Sequence, residues 1–151
     1  MYSSHHPQLL TPDQLIHKYS QLENVGWNAS KIGTFFSAGL LLGKRTPVRA
    51  YIQESSFKEL VEYYNKVLMK CSIDLESKKH LDHLSAEELL VKHPDVITVL
   101  HWNASKIGIF FNSGLLRGYR NGESRALIQE LSFEELIRYA NRVNRNRNVD
   151  L

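Results

Sequence analysis

Cysteine is nearly absent from this chain. Cys71 is the only one in 151 residues, which excludes an internal disulfide and points to a reducing, cytoplasmic compartment. No apolar run approaches the roughly 18 residues that a membrane helix requires, so no membrane partner is expected. The opening MYSSHHPQLL lacks the basic start and apolar core of a secretory signal. There is no glycine-rich phosphate loop, and no set of nucleophile, base and orienting group recurs, so neither catalysis nor a cofactor is expected. Cys71, His80 and His83 lack a fourth ligand and any zinc spacing, so no metal is expected either. Excess charge of one sign is also missing. With 19 Lys and Arg against 16 Asp and Glu, the net charge is only +3 and the pI about 9.0. That suits a modestly anionic partner without requiring one.

What is present is a duplication. Residues 27 to 45 read WNASKIGTFFSAGLLLGKR and residues 102 to 120 read WNASKIGIFFNSGLLRGYR, identical at 14 of 19 positions. Self-similarity at one offset marks a tandem repeat. The division expected is repeat one over 8–70, a polar linker over 71–82, repeat two over 83–145 and a basic tail over 146–151. Each copy is near the lower size limit for a self-sufficient core, but 42% hydrophobic residues leave enough to build one.

Within each copy the local signals come in the same order. Thr11 with Gln14, and Ser85 with Glu88, are capping boxes that open a first helix. Pro94 stops the second copy's helix, because it disfavours a helical residue before it. Asn28 and Asn103 stand as N-caps of a second helix, which closes at Gly39 and Gly114. Ala29, Ile32 and Phe36 share one face of it, and Lys31 and Thr34 the other. A hairpin follows, with Thr46-Pro47 as its turn in copy one and Asn121-Gly122 in copy two. Ser56 with Glu59, and Ser132 with Glu135, read as capping boxes for a third helix. Residues 1 to 9 read as a lead-in. The fold class expected is mainly α with small β-hairpins, an α+β arrangement of helix, helix, hairpin and helix in each copy.

The segment Gly26 to Leu41, GWNASKIGTFFSAGLL, resembles the recognition-helix segment of MerR-type regulators and excisionases. There, a glycine and an apolar residue precede the helix, an isoleucine anchors its middle and Gly-Leu-Leu closes it. Arg45 and Arg120 match the arginine that follows in that family, and Arg49 and Arg125 lie near its later arginine. The chain departs from the pattern at Gly33 and Phe35, and at Gly108 and Phe110. It also lacks the long dimerisation helix of MerR-type regulators, so the excisionase-like version is the nearer match. The resemblance implies two tandem winged helix-turn-helix units that bind double-stranded DNA, in transcription regulation or as a recombination accessory factor. A nucleoid-associated location would follow.

In such a unit the second helix enters the major groove. Asn28, Ser30, Lys31 and Thr34 would face the bases in copy one, with Asn103, Ser105 and Lys106 in copy two. Lys44, Arg45 and Arg49, and Arg117, Arg120 and Arg125, would be the wing cations that meet phosphate. Arg142, Arg145 and Arg147 could add a phosphate contact. The plainer readings are helix caps for the asparagines, solvated lysines, and arginines that protect a strand edge. The four phenylalanines of the repeated segment and both tryptophans read as core. Gly33 and Gly108 each cost about 1 kcal/mol against alanine inside a helix, and packing on the first helix is the expected reason. The same fold could serve protein assembly, which acidic Glu59, Glu62, Glu134 and Glu135 would favour, or RNA binding. The mutual orientation of the units and the oligomeric state are left open.

Overall fold

The computed structural model describes residues 8–73, 83–121 and 125–149. In repeat one, β1 (Leu9–Leu10) leads into α1 (Pro12–Lys18), a 3-10 segment (Ser20–Val25), α2 (Ala29–Ser37), the hairpin β2 (Gly43–Arg45) and β3 (Ala50–Gln53), and α3 (Glu54–Ile73). Repeat two follows the same course: β4 (His83–Leu84), α4 (Ala86–Lys92), a short α5 (Asp95–Thr98), α6 (Ala104–Asn112), β5 (Gly118–Asn121), β6 (Arg125–Gln129) and α7 (Glu130–Val149). The result is a mixed α+β architecture with two small antiparallel sheets, ordered β1-β3-β2 and β4-β6-β5. No helix among the described residues is long and apolar enough to cross a membrane.

The local signals explain most of the helix ends. Thr11 and Ser85 form complete capping boxes, each accepting from the backbone N–H three residues on while Gln14 or Glu88 returns the bond. Asn28 and Asn103 cap α2 and α6. Those helices end in matched Schellman turns. Leu40 N–H reaches Phe35 O at 3.0 Å and Leu115 N–H reaches Phe110 O at 2.9 Å. The turn requires a left-handed residue, supplied by Gly39 at φ 87° and Gly114 at φ 83°.

Four expectations need correction. Leu9 is not lead-in, because Leu9 and Leu10 pair with Gln53 and Ile52 as a third strand, and His83 and Leu84 do the same with Gln129 and Ile128. Ser56 and Ser132 do not cap the third helices, which already begin at Glu54 and Glu130. Both are buried, and their hydroxyls accept instead from the backbone N–H of Leu42 and Arg117 at 2.9 Å. The expected linker begins too early, since α3 continues to Ile73, and the rest of it (74–82) lies outside the described residues. The expected tail begins too early as well, since α7 continues to Val149. The expected turn residue Gly122 also lies outside the described residues.

The two repeats share one core. Trp27, buried under its own α2, donates its indole N–H to Ser113 O of the other repeat at 2.9 Å. Trp102 returns the bond to Ala38 O at 2.7 Å. Phe35 and Phe110, both fully buried, meet at 6.4 Å between ring centres, and Tyr63 of α3 stacks on Tyr139 of α7 at 4.9 Å. Aromatic pairs of this kind add to the area they bury, and a buried indole needs a partner for its N–H. Each tryptophan finds that partner only in the other copy. Phe35 and Phe110 rather than Phe36 and Phe111 are therefore the fully buried members of each pair, and the latter are half-buried.

Candidate nucleic-acid interface

The outer face of α2 begins at Asn28, whose Oδ1 accepts from Lys31 N–H at 2.8 Å; Asn103 does the same for Lys106. The cap consumes the carbonyl oxygen and leaves the amide N–H groups facing solvent, as both asparagines are exposed. Ser30 and Ser105 are exposed beside them. Thr34 is half-buried and donates to Ser30 O at 3.2 Å.

The two lysines are tied back. Lys31 Nζ donates to Gly26 O at 2.7 Å, and Lys106 Nζ to His101 O at 3.0 Å. Each ammonium thus clamps the bend that precedes its own helix, and this accounts for the same lysine in both copies. The bend itself is left-handed, at Gly26 with φ 94° and at His101 with φ 60°.

The hairpin cations fall into three kinds. Lys44 and Arg49 are exposed, Arg49 in the loop that Thr46 closes by accepting from Val48 and Arg49 N–H. Arg45 and Arg120 lie on the outer strands but lean back on the second helix. Their guanidinium carbons sit 5.5 and 5.4 Å over the rings of Phe36 and Phe111. Arg120 also donates to Asn112 Oδ1 at 2.6 Å, and Arg45 lies 3.5 Å from Ser37 Oγ.

Arg117 is a correction. It is 5% exposed, with Nε donating to Gln129 Oε1 at 2.8 Å and Nη1 lying 3.4 Å from Glu135 Oε1. A buried, engaged guanidinium cannot meet a phosphate, so Arg117 belongs to the core of repeat two. Arg125 pairs with Asn121 at the hairpin end, and its side chain, like that of Arg147, lies outside the described residues. Arg142 stacks on Tyr139 at 4.9 Å, and Arg145 is exposed.

Gly33 and Gly108 do not pack against the first helix, contrary to expectation. A Cβ built on either meets nothing within 4 Å, and neither has a positive φ. In repeat two the open space is a depression of about 580 Å³ between the start of α4, α6 and the hairpin. Its lining includes Ala104, Gly108 and Ala126 together with Arg120, Glu87 and Glu88. The matching positions in repeat one are Ala29, Gly33 and Ala50, with Arg45, Asp13 and Gln14.

At the far end of each first helix lies a buried carboxylate that sequence patterns did not single out. Glu54 bonds Lys18 Nζ at 2.7 Å and accepts from the Tyr19 hydroxyl. The Lys18 and Tyr19 bonds hold its carboxyl below the usual range, while burial and Glu54 push the Tyr19 phenol up to about 12. Glu130 occupies the same place in repeat two, with Lys92 Nζ at 2.9 Å and His93 Nε2 at 2.8 Å, and is likewise held low, chiefly by Lys92. The only sequence signal was their position, one residue after the last strand in both copies.

Comparison with protein-family models, with curated proteins and with solved structures gives no match to this chain.

Proposed function

We propose that the chain binds double-stranded DNA through two winged helix-turn-helix units, with α2 and α6 as the groove helices and the two hairpins as wings. The observation that carries this reading is the pair of open glycines. Each costs about 1 kcal/mol against alanine in a helix interior, and neither backbone angle nor internal packing explains the cost. A surface from outside that comes close to the helix does explain it, in both copies at once.

Duplex DNA fits that surface best in repeat one. Exposed Asn28 and Ser30 lie on the helix that carries Gly33, and exposed Lys44, Arg45 and Arg49 lie on the adjoining hairpin. Asparagine and serine suit base edges, and the hairpin cations suit phosphates. Lys31 and Lys106 shape the helix entrance and leave base contact to their neighbours. Because the repeats share a core, the spacing of the two groove helices is set by packing rather than by a linker. Transcription regulation and an accessory role in recombination are both consistent with such a module.

Fluorescence anisotropy with a mixed-sequence duplex tests the proposal. Binding at low salt should weaken steeply towards physiological salt, because releasing counterions into more concentrated salt gains less free energy. Gly33→Glu with Gly108→Glu should abolish retention while circular dichroism stays unchanged. If no duplex is retained at low salt, or the double variant binds like the parent, the DNA reading fails. A second reading, an acidic-rimmed protein-docking surface, is favoured by Glu87 and Glu88 beside Gly108 and Arg120. It predicts capture of a protein partner and no duplex retention.

A further inference from the structure

We propose that His93, Glu130 and Glu134 form a binding site for a divalent transition ion of the zinc class, built into repeat two and replaced in repeat one. One ligand atom from each of the three residues lies within 4.8 Å of the others. An ion held about 2.0–2.2 Å from imidazole nitrogen and carboxylate oxygen places tetrahedral ligands roughly 3.3 Å apart, so closure requires only side-chain rotation. Three protein ligands and a water would complete the shell.

The surroundings are arranged for it. Glu130 divides its oxygens, with Oε1 bonded to Lys92 Nζ and Oε2 turned to His93. Lys92 can therefore keep its bond and orient the carboxylate while Oε2 takes the ion, the kind of outer contact that fixes a ligand in place. The His93 ring lies edge-on to Phe133 at 5.5 Å, and the His93 backbone N–H is held by Leu89 O at 2.8 Å. Glu130 and Glu134 stand one helical turn apart on α7, so both project to the same side. The site is partly desolvated, with the side chains of His93 and Glu130 only 21% and 12% exposed.

Repeat one is the internal contrast. At the matching positions stand Tyr19, Glu54 and Lys58. There a single carboxylate faces Lys18 and also feels Lys58, so its charge is already balanced by protein cations. In repeat two a second carboxylate stands in place of that lysine and an imidazole in place of the phenol. Both changes exchange a poor metal ligand for a good one. This inference does not rest on the DNA reading.

Isothermal titration of Zn²⁺ into the full chain is the test. His5, His6, Cys71, His80 and His83 offer other ligands, so the readout is the difference between the parent and two variants. His93→Tyr, which installs the repeat-one residue, and Glu134→Gln should each remove one binding event per chain or weaken it by at least about tenfold. The visible spectrum of Co²⁺ in a four-coordinate site should vanish with them. Zn²⁺ should also raise the melting temperature of the parent more than that of either variant. Parent-like Zn²⁺ affinity and Co²⁺ spectrum in both variants would overturn the site. So would a parent that takes up no Zn²⁺. If His93→Tyr does not fold, Glu134→Gln decides alone, since Glu134 is half-buried and outside the core.

Discussion

Repeat one and repeat two share a backbone plan and differ in how they fill it. Behind the first hairpin, repeat one places Leu42 where repeat two buries Arg117 against Gln129 and Glu135. Before the second helix, repeat one turns on Gly26 and repeat two forces His101 into the same left-handed bend. At the buried carboxylate, a phenol in one copy is an imidazole in the other. In all three places repeat two holds the more polar or more strained solution. The plan therefore tolerates changes of chemistry inside it, provided each new group is satisfied locally.

The largest test of that conclusion is Arg117. Removing a buried charge strands its partners, and Arg117→Ala should cost about 3 kcal/mol, at the low end of the usual range because Glu135 is partly exposed. Arg117→Leu with Glu135→Leu, which takes the Leu42 of repeat one and also removes the stranded carboxylate, should recover most of it. Urea unfolding measures both, and a double variant as unstable as Arg117→Ala would mean that the copies are not interchangeable here.

Acid should have an intermediate effect. Because the folded Glu54 carboxyl is held low, the unfolded chain binds more protons in acid. Its stabilisation is full above the ordinary carboxylate range and fades as pH falls through the lowered folded value. Glu54→Gln should flatten that part of the stability profile, as should Glu130→Gln. A profile unchanged by either variant would show that the lysine contacts contribute nothing.

The smallest effect separates the two bends. His101→Gly should stabilise the chain by up to about 1 kcal/mol, because a side chain no longer has to enter the left-handed region. Gly26→Ala should destabilise by a similar amount. Thermal unfolding of the pair checks the opposite signs. Loss of stability in His101→Gly would mean that the imidazole makes a contact worth more than its strain.

What could be read in advance was local. Capping boxes at Thr11 and Ser85 and the glycine-closed ends of α2 and α6 depend on residues within one turn, so their spacing is enough. Several of the misreadings involve partners elsewhere along the chain. Leu9 looks like lead-in until β3, more than 40 residues later, pairs with it. Ser56 matches a capping box, yet its hydroxyl is taken by the Leu42 N–H, 14 residues back. Arg117 sits in a polar hairpin pattern and gives no sign of Glu135. At the candidate site, the exposure of Asn28, Ser30, Lys44 and Arg49 was legible because a helix cap, a helix's outer face, an outer strand and a hairpin loop each place such residues in water. The clamping role of Lys31 was not, since a lysine reaching back to a carbonyl has the same sequence as a lysine in water.

The reciprocal indole bonds have one more consequence. In a homodimer of identical subunits, every substitution would alter both halves at once, and any duplex it matched would be pressed towards a palindrome. Here the two halves are held together by Trp27 and Trp102 but encoded separately. Each is free to drift alone, so under the DNA-binding proposal one small molecule would meet two unequal half-sites.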